Sequence, residues 1–244
     1  MDRQEDSPTP DIRRHRGPRT SRFLTALLLA LLTAANFSGC QIIIGTLLTL
    51  QGRPMATCEF TAMTKKKLAE KGKKVVVLAT STAEALSEEP SLDLDIIDSV
   101  SRRLQLDNVN VVDPYKVGAF IDENGGIKES TPLAPIGVKF KADYIVLFKF
   151  NKFGYGAPNT PGMFQGHASY KVVVVEMVKD KDATDGKRAK VIYNRAFEST
   201  FPKNRLVAAD EAGTPELFKS KYMARISEDL TRLFVDYRPE DEIN

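Results

Sequence analysis

The chain has 244 residues, 42% of them hydrophobic, and a net charge of +3 from 35 basic and 32 acidic side chains; that length holds one compact domain plus a targeting or anchoring segment rather than two full domains. Six of the basic residues precede position 40, so the remainder is nearly neutral and lacks the diffuse positive field of a nucleic-acid-binding domain. Two cysteines, Cys40 and Cys58, exclude a disulfide framework and have neither zinc nor redox spacing.

Arg13 to Arg22 forms a basic leader, and Phe23 to Phe37 is an uncharged stretch within the length range of a signal-peptide core. It ends in Phe37-Ser38-Gly39-Cys40, which resembles the lipobox of bacterial lipoproteins, with Phe37 where Leu, Val or Ile is usual. The resemblance implies a signal peptide over residues 1–39 and a mature amino terminus at Cys40, with diacylglycerol on sulfur and an acyl chain, such as palmitate, on nitrogen. Several acyl chains hold a protein on a bilayer where one does not. A physical alternative stays open: residues 23–50 carry no formal charge and are long enough to span a membrane as an uncleaved single-pass signal anchor. In both readings the arginines stay cytoplasmic and the chain beyond residue 50 faces the periplasm, anchored to the outer or inner membrane.

Residues 40–69 are expected to form a lipidated tether and membrane-proximal segment. Within it, residues 41–50 either lie along the membrane or pack as a strand, and Gly52-Arg53-Pro54 breaks the run. Lys65 to Lys74 reads as a solvated turn before a strand, or as a contact for anionic headgroups or peptidoglycan-associated acid groups.

A globular domain is expected over residues 70–238. Val75 to Ala79 has the continuous β-branched run of a strand buried on both faces. Ser91 can cap a helix with Leu94, Ile97, Val100 and Leu104 inward. Val109 to Val112 predicts a second strand, and Asp113-Pro114 opens a helix with Val117, Phe120 and Ile121 inward that stops at Gly125-Gly126. A short helix over residues 132–141 and a strong strand over residues 144–150 follow. Residues 151–162 read as a Gly/Pro/Asn loop, then two strands, 165–178 and 190–201, join through a turn at Asp185-Gly186. Thr214-Pro215 begins a last helix reaching about Tyr237, and residues 239–244 are an acidic tail.

The result is an α/β (α+β) fold, a mixed sheet of about five strands in the order β-α-β-α-β-β-β-α with helices packed on it. That order, with KKVVVLA at 73–79, VNVVDPYKV at 109–117 and ADYIVLFKF at 142–150, resembles the domain of CsgG-like and penicillin-binding-protein-activator lipoproteins and the amino-terminal domain of the periplasmic protein TolB. The resemblance implies an envelope role exercised through protein contacts rather than catalysis.

No motif for chemistry stands against that expectation. His167 has no neighbouring ligand pattern, Ser81 and Ser87 lack a nucleophile elbow, and the paired glycines fit neither a Walker A nor a dinucleotide motif. Asp180, Asp182 and Asp185 have the wrong continuation for a calcium loop. The run Glu84, Glu88, Glu89, Asp93, Asp95 and Asp98 reads as a solvated face. No cofactor or metal is expected, and no nucleic acid. The candidate partner-binding residues are Phe153, Tyr155, Met163 and Phe164, apolar groups on a Gly/Pro-rich loop that either meet a partner or fold back over the core. The expected function is a membrane-anchored envelope lipoprotein serving as a binding or scaffold module. The alternative is a hydrolase or ligand-binding enzyme using His167 and nearby carboxylates.

Overall fold

The computed structural model describes residues 55–128, 131–157, 160–182 and 186–238. Two compact units divide the chain, Met1–Pro54 and Met55–Asn244, and the described residues all belong to the second. The leader, Cys40 and the acidic tail lie outside them.

Four long strands and one short one form a mixed sheet ordered β1-β2-β3-β4, with β5 also pairing β3. Strand β1 (Val75–Ser81) pairs in parallel with β2 (Tyr144–Gly156), from Val75 opposite Tyr144 to Ser81 opposite Phe150. Strands β3 (Met163–Lys179) and β4 (Lys187–Phe201) continue the sheet antiparallel, and β5 (Val207–Ala208) pairs with the start of β3. Helices cover both faces, which is why β1 is apolar at every position from Val75 to Ala79. One face carries α1 (Glu59–Thr64), α2 (Ala83–Glu88), α3 (Leu92–Leu106) and α7 (Pro215–Arg232); the other carries α4 (Pro114–Glu123) and α5 (Ala134–Phe140). A single turn of helix, α6 (Ala209–Ala212), links β5 to α7. The expected α/β class and mixed sheet with packed helices are what the structure has.

Local chemistry fixes most boundaries. Asp113 accepts from the Tyr115 N–H at 3.0 Å and Thr214 from the Leu217 N–H at 3.2 Å, each just ahead of a proline in the first helical turn. The turn after β3 closes through Gly186, whose φ of +66° suits glycine, with the Asp180 N–H donating to the Gly186 carbonyl at 3.0 Å.

Several details depart from the sequence reading. Residues 109–112 form a bridge rather than a strand. Val111 pairs with Val75 through the Val75 N–H to Asn110 (2.9 Å) and the Val112 N–H to Val75 (2.8 Å), and the cap of α4 then ends the pairing. The fifth strand is β5 instead. Leu94 is 61% exposed, because Leu92 and Ile96 take the inward positions with Ile97, Val100 and Leu104. Helix α7 stops at Arg232, though Phe234 is still buried beyond it. Cys58, Phe60 and Leu68, which precede residue 70, are all buried in the core.

Candidate functional site

The segment read as a loop is largely strand. Residues 151–156 extend β2, with register shifts between Phe150 and Lys152 and again between Gly154 and Gly156. The first shift is a bulge that moves the inward side chain from Phe150 to Phe153. Phe153 is 3% exposed and stacks on Tyr222 of α7 at 5.4 Å, with Phe150 and Tyr155 edge-on at 6.0 and 5.2 Å. Phe201 lies nearly parallel to Tyr222 at 6.3 Å, so Tyr222 contacts an aromatic ring from each strand end. Gly166 makes this approach feasible: a Cβ there would sit 2.5 Å from the Tyr222 ring. Of the remaining candidates, Phe164 is half-buried and stacks on Phe218 at 5.4 Å, and Met163 and Tyr155 are half-buried. The four residues thus share one end of the sheet, but they reach the surface to very different degrees.

Tyr155 leads to a polar group that the sequence reading missed. Its hydroxyl donates to Glu89 Oε2 at 2.8 Å, Ser91 Oγ lies 2.8 Å from Glu89 Oε1, and Lys219 of α7 forms an ion pair with the same carboxylate. The Lys219 ammonium also sits 5.6 Å from the centre of the Tyr155 ring. Glu89 is only 3% exposed, so the solvated acidic face expected over residues 84–98 is interrupted by a buried, fully partnered carboxylate. Burial also pushes the Asp93 carboxyl up, opposed by its hydrogen bond from Ser81. Desolvation likewise pushes the Tyr155 hydroxyl far above its ordinary range, so it stays a donor. Glu89 forms one wall of a cleft of about 620 Å³ between α3 and α7, where Ser227 Oγ is buried with no hydrogen-bond partner among the described residues.

A second cleft of about 680 Å³ opens between the last turns of α7 and the second half of β4. Phe197, stacked on Tyr170 at 5.7 Å, supplies an apolar wall, and Arg225 and Arg232 flank Asp229. Desolvation raises the Asp229 carboxyl, against the pull of both guanidinium groups. The spacing of Arg225 to Asp229, and of Glu228 to Arg232, is the helical i,i+4 pattern readable from sequence. Beside this cleft, β4 has no strand on its outer side among the described residues. Its fifteen residues include Val191 at 55% exposure and the exposed Lys190, Asn194 and Arg195.

The remaining expectations sort simply. His167 packs its ring against Gly154 and has one hydrogen-bond contact, Nδ1 to the Gln165 carbonyl at 3.4 Å, with no carboxylate partner among the described residues. Cys58 is buried with its thiol donating to Thr61 Oγ1 at 3.1 Å, and burial pushes that thiol up. No group of three or more His, Cys, Asp or Glu among the described residues is placed to hold a metal ion, and no helix among them is long and apolar enough to cross a membrane.

No protein-family model matches the chain, and no curated protein matches it. Similar solved structures include lipoprotein GNA1162 of Neisseria meningitidis, at 11% identity and TM-score 0.41, covering 65% of this chain and 98% of that one. The hypothetical protein CT253 of Chlamydia trachomatis is similar at 12% identity and TM-score 0.38, covering 66% and 96%. A PelC dodecamer from Paraburkholderia phytofirmans is similar at 11% identity and TM-score 0.39, covering 75% and 98%. Likeness at these scores carries no inference about family or activity.

Proposed function

We propose that the chain is a membrane-anchored envelope lipoprotein whose α/β domain is a binding module for other envelope proteins. The anchor is supported by the basic leader, the uncharged stretch and the Phe-Ser-Gly-Cys sequence ending at Cys40. The observation that carries the binding role is the side of β4 left open among the described residues: an edge strand of fifteen residues whose alternate, outward-facing residues offer backbone donors and acceptors to a partner segment. Lys190, Asn194 and Arg195 discourage indiscriminate edge-to-edge pairing, while Val191 leaves an apolar point on that edge. Of the earlier candidates, Met163 and Phe164 retain exposed surface at the opposite end of β3 and form a secondary contact region.

The test is a photo-crosslinking amino acid placed at Val191 or, for comparison, at Leu217, in lipidated protein within intact envelopes. Adducts to a defined envelope protein are expected from position 191 and not from 217, and Val191→Lys should remove the association. Adducts from neither position, or equally from both, would contradict the edge as the binding surface.

A further inference from the structure

We infer that the lysine-rich, methionine-bearing surface of residues 55–74 rests on the anionic headgroups of the bilayer that holds Cys40. This inference depends on the Cys40 anchor proposed above and adds the orientation of the domain. The first observation is a charge asymmetry hidden by the neutral total. Residues 55–74 hold six lysines against Glu59 and Glu70, a net of +4, whereas residues 75–244 hold 22 basic and 26 acidic side chains, a net of −4. The segment nearest the anchor in sequence is therefore the cationic part of a domain that is otherwise acidic.

The structure shows how that charge is presented. Lys66, Lys67 and Lys73 pair with Glu176, Asp236 and Asp143, so they neutralise the acids contributed by neighbouring elements. Lys65, Lys71 and Lys74 form no ion pair among the described residues, and Lys65 and Lys71 are exposed. Helix α1 is two-sided: Phe60 is buried in the core, while Met63 is 53% exposed, and Met55 just before it is 58% exposed. Two exposed methionines among lysines suit the boundary between headgroups and acyl chains, where flexible apolar side chains dip inward and ammonium groups stay with phosphate. Each lysine near such a surface favours association roughly fivefold.

The tether permits this contact and limits the alternatives. Ala56 bridges Tyr237, which fixes where the chain leaves the domain, and Lys67 reaches Asp236 beside it at 2.8 Å. Fourteen residues, 41–54, separate Cys40 from Met55, a span of about 50 Å at full extension. The point of exit thus adjoins the cationic segment at Lys67, within reach of the bilayer that holds Cys40.

The protein has no tryptophan, so one can be introduced as a single reporter of depth. Mature lipidated protein carrying Met63→Trp, or Leu217→Trp in the first turn of α7, is placed on vesicles containing phosphatidylglycerol and a doxyl-labelled quencher lipid. Flotation confirms attachment. The expected result is quenching of Met63→Trp at least about twofold greater than of Leu217→Trp, lost on adding Lys65→Glu, Lys71→Glu and Lys74→Glu while the protein still floats. Floating protein with equal quenching at both positions would overturn the inference while leaving the anchor intact. Quenching unaffected by the three charge reversals would overturn headgroup recognition, and protein that fails to float would overturn the anchor and the inference with it.

Discussion

Replacing Phe153 by alanine separates packing from binding at the aromatic end of the sheet. The ring is 3% exposed and contacts Phe150, Tyr155 and Tyr222 at centroid distances of 5.2 to 6.0 Å. Truncating a fully buried phenylalanine costs about 3–5 kcal/mol, including the cavity left behind. Tyr222 keeps Phe201 and the edge-on Tyr155 but loses its stacked partner Phe153, so the middle of that range is expected. In a domain of this size 1 kcal/mol moves Tm by roughly 2–4 °C, giving a fall of about 8–16 °C for ~4 kcal/mol. The assay is guanidinium unfolding followed by far-UV circular dichroism, alongside Met163→Ala, where a half-buried side chain should cost about 1 kcal/mol or less. A Phe153→Ala unfolding free energy within ~0.5 kcal/mol of the wild type would refute the assignment of this ring to the core. The expected instability also means that loss of a partner by Phe153→Ala says nothing about contact, whereas Met163 and Val191 can be changed with the fold intact.

Three further outcomes follow from the same geometry. Gly166→Ala places a methyl 2.5 Å from the Tyr222 ring, which has neighbours on both sides and little room to yield; a loss of about 1–3 kcal/mol is expected, measured by the same unfolding assay. Lys219→Met leaves the Glu89 carboxylate at 3% exposure without its cation, a cost of roughly 1–2 kcal/mol given that Lys219 itself is 39% exposed, and adding Glu89→Gln should recover part of it. Lys67 and the Cys58 N–H hold Asp236 below the usual carboxylate range, so Asp236 stabilises the fold above its unfolded pKa and loses that contribution as pH falls through the folded one. Asp236→Asn should therefore be less stable than the wild type by about 0.5–1 kcal/mol at pH 7, with the gap closing below roughly pH 4; a gap constant down to pH 2 would contradict the pairing.

What could be read from sequence follows physical signals that are local. The β-branched run at Val75, the apolar strand from Tyr144, and the Asp113-Pro114 and Thr214-Pro215 helix starts all depend on residues adjacent in the chain, and each element is present. The extension of β2 through residues 151–156 was not legible, because the bulge after Phe150 breaks the two-residue alternation that marks a strand; only pairing with β3 reveals it. For the same reason Phe153 and Tyr155 looked like loop residues. Glu89 looked solvated because its partners, Tyr155 and Lys219, are far along the chain. The core positions of Phe60 and Leu68 are not legible either, because each stands singly among polar residues; Phe60 packs on Tyr193 of β4 and on Phe234, far along the chain.

The most direct test of the anchored-lipoprotein account is intact-mass and peptide analysis of the mature amino terminus, from wild-type protein and from Cys40→Ala. The account predicts a terminal peptide beginning at Cys40 with diacylglycerol on its sulfur and an acyl chain on its nitrogen, absent from the variant. A chain retaining its leader with an unmodified Cys40 thiol would contradict it.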